Sequence, residues 1–412
     1  AIAQWGVNST LDRIDGMYAF GLWDRDQRRL TLVRDRMGEK PLFYGTIGTG
    51  EVLFGSTLDA VAAHPGFDRP VDRNALALYL RHNCVPAPWT IREGIFKLEP
   101  GSRVDVTADG VVGEPQRYWS YYDAVERGAT FDGTAHDAVD ELDRLLRRSI
   151  QDRMFADVPV GAFLSGGIDS SAVVAISQQV AQGAVKTFTI GSPARDYDES
   201  SDARSVAARF GTDHTELIVS EADALRVVEQ LGGIHDEPFA DSSQIPTRLV
   251  AELARKDVTV ALSGDGGDEL FVGYNRYAWV PAIWKHLNRM PMALRRGGGA
   301  ALGAVPPQRW DQVARMVPAS RRPRMLGVKA SKVAVIADAP APHDVYNRLV
   351  SHWRNPTELV HGSVEPLTLH TDAARWPQVP GIVEHMSAVD AVTYLPDDIL
   401  CKVDRATMSV SL

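Results

Sequence analysis

Residues 158–176 carry the pattern that most restricts the fold. Val158 to Leu164 is an apolar run of strand length. Ser165-Gly166-Gly167-Ile168-Asp169-Ser170-Ser171 follows, and Ala172 to Ile176 then reads as the apolar side of a helix. A Ser/Gly-rich turn therefore ends a buried strand and opens a helix. The two glycines let backbone N–H groups approach an anion, the serines add hydroxyl donors, and the helix N-terminus adds positive potential. Asp169 would repel a bare phosphate, but it fits a divalent cation lying between it and phosphates. The turn predicts a nucleotide pyrophosphate held with Mg²⁺. The plainer reading is a Gly/Ser turn with an N-capping Asp. No Gly-Lys-Ser/Thr ending is present, so this is not a Walker A loop.

The flanking segments extend the pattern. Asp137 to Ile150 is an amphipathic helix. Lys186 to Ile190, Thr215 to Val219 and Val258 to Leu262 read as strands, with helices at Glu199 to Phe210 and Pro246 to Arg255. Such alternation predicts a parallel sheet covered on both faces, with ligands beyond the carboxyl ends of its strands. Upstream, Met17 to Asp24, Arg29 to Arg34, Pro41 to Tyr44 and Val52 to Gly55 are strands without helices between them, which suggests an antiparallel sheet. Asn74 to Arg81 is helical. Tyr118 to Gly133 has no clear periodicity and reads as a link between two domains. Trp279 to Trp376 is helical and broken by prolines.

A second glycine-rich loop, Ser263-Gly264-Asp265-Gly266-Gly267-Asp268-Glu269, ends the strand at Val258 to Leu262. Three carboxylates and three glycines in seven residues exceed what packing requires. Asp268 is a metal-ligand candidate beside Asp169, and Asp265 could contact an acyl substrate or its nucleophile. The alternative is a solvated acidic turn. Near the end, Lys402 lies among Leu400, Val403 and Ala406. It could reach an α-phosphate or a developing oxyanion, or it could snorkel at the surface.

Composition removes several function classes. The 412 residues suffice for two or three domains, and a net charge of −9 without a long single-sign run does not favour nucleic acid. The basic stretch from Lys285 to Lys329, with Arg295-Arg296 and Arg321-Arg322, reads as a solvated helical face. Cys84 and Cys401 lack disulfide-framework or zinc spacing. No apolar run approaches the ~20 residues that span a bilayer, and no signal-peptide pattern opens the chain. A cytoplasmic protein with no membrane partner is the expectation.

The first loop resembles the pyrophosphate loop of ATP pyrophosphatases. Both loops, the Tyr394 to Arg405 block and Asp241-Ser242-Ser243-Gln244-Ile245-Pro246-Thr247 together resemble the synthetase domain of glutamine-dependent asparagine synthetases. Asp15 to Phe20 and Arg34 to Tyr44 resemble the second half of that family's glutaminase, a class II, N-terminal-nucleophile amidohydrolase domain. GMP and argininosuccinate synthetases share the first loop but lack the second loop and terminal lysine block in this form. The resemblance implies an α/β chain. A partial amidohydrolase α+β sandwich occupies 1–117, a linker 118–135, and a parallel-sheet ATP-pyrophosphatase domain with added helices 136–412.

It also implies a reaction. ATP adenylates aspartate to β-aspartyl-AMP with release of pyrophosphate, and ammonia displaces AMP to give asparagine. Carried over by motif, Leu164, Ile190, Ser263 and Gly264 line the ATP site. Ser165, Gly166, Gly167, Ser170 and Ser171 hold the pyrophosphate, while Asp169 and Asp268 hold Mg²⁺. Lys402 stabilises the α-phosphate, and Asp265 occupies a position tied to acyl-adenylate formation. The partners are small molecules; a homodimer is left open.

Departures from the family pattern limit what is expected of this chain. Position 1 is Ala, where the family's glutaminase begins with a nucleophilic Cys. The expectation is a chain truncated at both ends, unable to hydrolyse glutamine and dependent on ammonia. The remaining strands, Met17 to Gly55, would be half a sandwich with exposed apolar surface. The loop's form, with Tyr274-Asn275-Arg276-Tyr277 behind it, resembles a bacterial branch met in polysaccharide or secondary-metabolite clusters. Another carboxylate, such as a sugar acid, is therefore an alternative acceptor. A related branch closes β-lactam rings with a Tyr–Glu pair. A non-catalytic nucleotide-binding fragment is the alternative from another class.

Overall fold

The computed structural model describes residues 1–48, 50–193, 198–315 and 325–412. The first part is built on two antiparallel sheets. Strands β1 (Ala19–Asp24), β2 (Arg29–Arg34), β6 (Ser102–Thr107) and β7 (Gln116–Arg117) form one, in that order. Strands β3 (Phe43–Ile47), β4 (Glu51–Gly55) and β5 (Ile95–Lys97) form the other, with β3 central. Leu32 of β2, Val104 of β6 and Tyr44 of β3 pack with Leu42 and Leu98 into one buried cluster between them. The expected antiparallel strands are present but divided between two sheets, β1 and β2 in the one that β6 and β7 complete, β3 and β4 in the one that β5 completes. Apolar side chains do reach solvent here, among them Trp23, Phe54 and Phe96.

The turn after β2 is fixed by two buried charged groups. The Asp35 carboxylate accepts backbone N–H bonds from Tyr18, Glu39 and Lys40 at 3.3, 2.9 and 2.9 Å. Arg34 donates to the carbonyls of Gly38, Lys40 and Leu98. Gly38 has φ +72°, and a Cβ there would lie 2.8 Å from Pro100, so only glycine closes this turn without strain.

The second part is a four-stranded parallel sheet. Its strands are β8 (Val160–Phe163), β9 (Lys186–Gly191), β10 (Asp213–Ile218) and β11 (Val260–Leu262), in the order β10-β9-β8-β11. Helices Ala135–Met154, Ile168–Val180, Ser200–Phe210 and Gln244–Ala254 connect or flank these strands. Ile150, Val174, Ala203 and Ala207 bury one helical layer against Ala162, Leu164 and Leu262. Leu253 and Ala254 close on Phe188 and Val258. β8 and β9 are short and largely buried, whereas the edge strand β10 has no fully buried residue.

Three readings change. The segment expected to be a plain link contains the helix Tyr121–Gly128, capped by Ser120 and packed against the helix Ile382–Val392. The helix Glu221–Ile234, opened by a Ser220–Asp223 capping box, was not anticipated. Arg295 is not on a solvated face. It is 7% exposed and donates to the Ala339 carbonyl at 3.0 Å, because Gly299 lets its helix approach Ala337. Arg296 is exposed as expected, and Arg321-Arg322 lie outside the described residues. None of the described helices is long and apolar enough to cross a membrane.

Polar contacts knit the two parts together. Lys40 Nζ lies 2.7 Å from Asp404, and the well-buried Lys97 lies 2.5 Å from Glu237. Glu237 also accepts the Ile91 N–H at 2.6 Å. Asp397 accepts that of Ala87 at 3.1 Å.

Candidate active site

Strands β8 and β11 pair in parallel, Val160 opposite Val260, so their carboxyl ends lie side by side. The two glycine-rich loops leave from those ends. In the first, Leu164 is buried and Ser165 is exposed. Ser165 Oγ and Ser170 Oγ are 2.9 Å apart, and Ser165 Oγ accepts the Gly167 N–H at 3.2 Å. Gly166 takes φ +82°, and a Cβ there would lie 2.7 Å from the Ala203 nitrogen. Gly167 caps the helix Ile168–Val180 without a side-chain bond, which leaves N-terminal N–H groups for a ligand. Ser171 Oγ is buried and has no hydrogen-bond partner among the described residues. Ile190 stands near the end of β9, half-buried.

The second loop lies directly against the first. A Cβ on Gly264 would sit 2.9 Å from the Ser170 nitrogen, and one on Gly267 would sit 2.6 Å from Asp169 Cγ. The glycines of one loop thus exist to admit the backbone and carboxylate of the other. Asp268 and Asp169 are close enough to interact. Partial burial, then the Asp169 charge, raises the Asp268 pKa, with Arg276 opposing. Asp265 is exposed, and Ser263 is half-buried at the start of the loop. The thirteen expected site residues therefore divide. Twelve cluster at the ends of β8, β9 and β11.

Lys402 is the exception. It is 6% exposed, and its Nζ lies 2.9 Å from Asp241 and 2.7 Å from Ser243 Oγ. It does not snorkel at the surface, the alternative reading, and the ammonium is held by a carboxylate and a hydroxyl. Its helix, Leu400–Met408, packs on Gln244–Ala254, which brings the lysine to the Asp241–Ser243 turn. Burial would raise the Asp241 pKa, but hydrogen bonds from Ser243 and Lys402 outweigh it and lower the pKa. Next to this pair, Asp398 is pushed up to about 8 by burial and by the Asp241 charge. Asp397, also raised by burial, reaches about 6.

A polar network missed in the sequence adjoins the second loop. Tyr274 donates to Glu269 Oε1 at 2.8 Å, a Tyr–Glu contact. Arg276 Nε lies 2.9 Å from Asp390, which also accepts from Tyr277 and Tyr346 at 2.6 Å each. Tyr274, Arg276 and Asp390 border a cavity of about 490 Å³ between the two parts of the chain. Tyr274 to Tyr277 were visible as a motif, but nothing in the Asp390 neighbourhood marked it as their partner.

Neither cysteine resembles a nucleophile. Cys84 is buried and its thiol is pushed well up, and burial takes that of Cys401 to about 12.

Comparison with known families decides the assignment. Residues 141–412 match the asparagine synthase family. The chain belongs to that family. Residues 1–119 match the glutamine amidotransferase domain. An asparagine synthetase [glutamine-hydrolyzing] 1 of Bacillus subtilis is 31% identical over 97% of this chain and 59% of that protein. A putative asparagine synthetase [glutamine-hydrolyzing] of Mycobacterium tuberculosis is 33% identical over 99% of this chain and 60% of that protein. The chain thus spans three fifths of the length of these curated relatives. A solved NH3-dependent NAD synthetase from Campylobacter jejuni shares 12% identity, covering 49% of this chain and 97% of that chain. Its TM-score of 0.26 is too low to carry an argument. Membership of the asparagine synthase family thus rests on the sequence match, and the parallel sheet with its two loops is the part of the molecule it covers.

Proposed function

We propose that this chain activates a carboxylate with ATP and transfers the acyl group to ammonia, with aspartate as the acceptor of the adenylyl group and asparagine as the product. The reading assigns 1–117 to an amidotransferase-type part and 136–412 to an ATP-pyrophosphatase part. The observation that carries it is the abutment of the two loops, Gly264 against Ser170 and Gly267 against Asp169.

In this reading Ser165, Gly166, Gly167, Ser170 and Ser171 cradle the pyrophosphate, and the unpartnered Ser171 hydroxyl suits a phosphate oxygen. Leu164, Ile190, Ser263 and Gly264 border the rest of the nucleotide. Asp169 and Asp268 suit Mg²⁺. No cluster of three or more metal-binding side chains occurs among the described residues. Two carboxylates completed by phosphate oxygens are the usual Mg²⁺ arrangement. Burial first, then repulsion from Asp169, raises the Asp268 pKa, and a bound cation would relieve that repulsion. Bound there, the ion would neutralise charge on the phosphates.

The acceptor carboxylate forms a bond to the α-phosphorus as the bond to pyrophosphate breaks. Ammonia then bonds to the acyl carbon, the carbon–oxygen bond to AMP breaks, and the nitrogen gives up a proton. Asp265, the exposed carboxylate of the second loop, would receive it. Lys402 takes a positioning part instead of a phosphate contact, because it braces Asp241 and Ser243 beside the site.

Trapping with hydroxylamine tests the proposal. ATP, aspartate and Mg²⁺ should give aspartyl hydroxamate and pyrophosphate in equal amounts. Release of ADP and phosphate in place of pyrophosphate would contradict it.

A further inference from the structure

Arg276 occupies an unusual position. It stands in the first turn of the helix Asn275–Leu287, on the wall of the 490 Å³ cavity. Its guanidinium lies 4.0 Å from the Tyr274 ring centre, 5.0 Å from that of Tyr394 and 5.5 Å from that of Tyr277. Its single carboxylate partner among the described residues is Asp390, and that carboxylate is shared with two phenols. Arg276 Nη2 is buried and has no hydrogen-bond partner among the described residues. A buried guanidinium nitrogen without an acceptor is costly unless a ligand supplies one.

The surrounding charges agree. Among the cavity's carboxylates, Asp241 is matched by Lys402. Asp398, with its pKa near 8, is largely neutral at pH 7. Asp397 interacts with Lys97 and Arg34. Lys332 stands exposed at the cavity wall with no acidic partner among the described residues. Tyr274 on the cavity wall donates to Glu269, the last residue of the second loop, so the cavity adjoins the loop where the acceptor would react.

We propose that Arg276 determines acceptor specificity, docking a second carboxylate of the acceptor, the one that is not activated. The inference rests on the adenylation reading and narrows it. The acceptor is a dicarboxylic acid, and a sugar acid with one carboxylate lacks the group that Arg276 requires. The planar guanidinium suits a carboxylate, and its stacking on tyrosine rings fixes its plane.

The test compares acceptors in ATP–pyrophosphate exchange by the full chain. The acids are aspartate, 3-aminopropanoate (aspartate without its α-carboxylate) and glucuronate. The wild type should prefer aspartate to 3-aminopropanoate by about 30-fold or more, as loss of a hydrogen bond to a charged group implies. Arg276→Gln should reduce that preference to a few-fold and leave the half-saturating ATP concentration unchanged. Arg276→Lys keeps the charge but loses the fork and should fall between them, and it carries the test if the glutamine variant does not fold. Calorimetric titration with aspartate, in the presence of Mg²⁺ and a non-hydrolysable ATP analogue, should show the same order. Unchanged preference in folded Arg276 variants, equal losses for ATP and aspartate, or glucuronate matching aspartate overturns the Arg276 assignment alone. Absence of exchange with every acid overturns the adenylation reading and this one with it.

Discussion

Gly267 faces Asp169 so closely that a methyl group on the glycine would lie 2.6 Å from the carboxylate carbon. The spacing locks the acidic loop onto the first turn of the helix Ile168–Val180. It also explains why a glycine stands among three carboxylates. Gly267→Ala should push Asp169 out of place and weaken Mg²⁺–ATP binding about tenfold, an overpacking cost of 1–3 kcal/mol. Calorimetric titration with Mg²⁺–ATP checks this. Wild-type affinity would show that the two loops do not form one site.

The Asp241–Lys402 pair joins the turn before the helix Gln244–Ala254 to the helix Leu400–Met408. The lysine side chain is 8% exposed. Either Asp241→Asn or Lys402→Met alone should cost about 3 kcal/mol, because a buried charge loses its partner. The double variant should cost less than the two combined, with a coupling of about 1 kcal/mol or more. Urea unfolding measures all three. Simple additivity would mean the two groups do not stabilise each other.

Asp398 gives a pH signature. Its folded pKa of about 8 lies above the unfolded Asp value. The native state therefore holds a proton that the unfolded chain loses. This contribution is full below about pH 4 and is lost as pH rises towards 8. Asp398→Asn cannot ionise, so its stability relative to wild type should improve across that window, by on the order of 3 kcal/mol. Chemical unfolding at pH 5 and pH 8 reads the difference, and a constant gap would refute it.

His370 gives the opposite slope. It stacks on His82 at 5.0 Å, and burial takes its pKa down to about 4. An unfolded His binds its proton near pH 6.5. The native state is favoured above that value, and this share is lost as pH falls from about 6.5 to 4. His370→Phe should flatten the acid limb by about one proton, up to on the order of 3 kcal/mol. An unchanged slope would mean that His370 is not held neutral.

Local features were legible and distant ones were not. The strand, loop and helix from 158 to 180 could be read because an apolar run, two glycines and a second apolar run adjoin in sequence. The carboxyl-end placement of Ser263 to Glu269 followed from parallel topology. By contrast, Arg276 and Asp390 are 114 positions apart, and Lys402 and Asp241 are 161 apart. Pairing across such distances depends on how the C-terminal helices pack, which hydrophobic periodicity does not encode. Lys402 was thus read as half-buried and reaching for a phosphate, when Asp241 already neutralises it. The helix Glu221–Ile234 was missed despite a local signal, its Ser220–Asp223 capping box. Arg295 was misjudged for a packing reason: Gly299 brings two helices close enough to enclose it.

Aspartate-dependent ATP–pyrophosphate exchange, with Mg²⁺ and no nitrogen donor, tests the central claim most directly. It isolates the adenylation step at the two abutting loops and needs no glutaminase. The account predicts exchange that requires aspartate and is abolished by Asp169→Asn and Asp268→Asn. A folded, ATP-binding chain that shows no exchange with aspartate would contradict it.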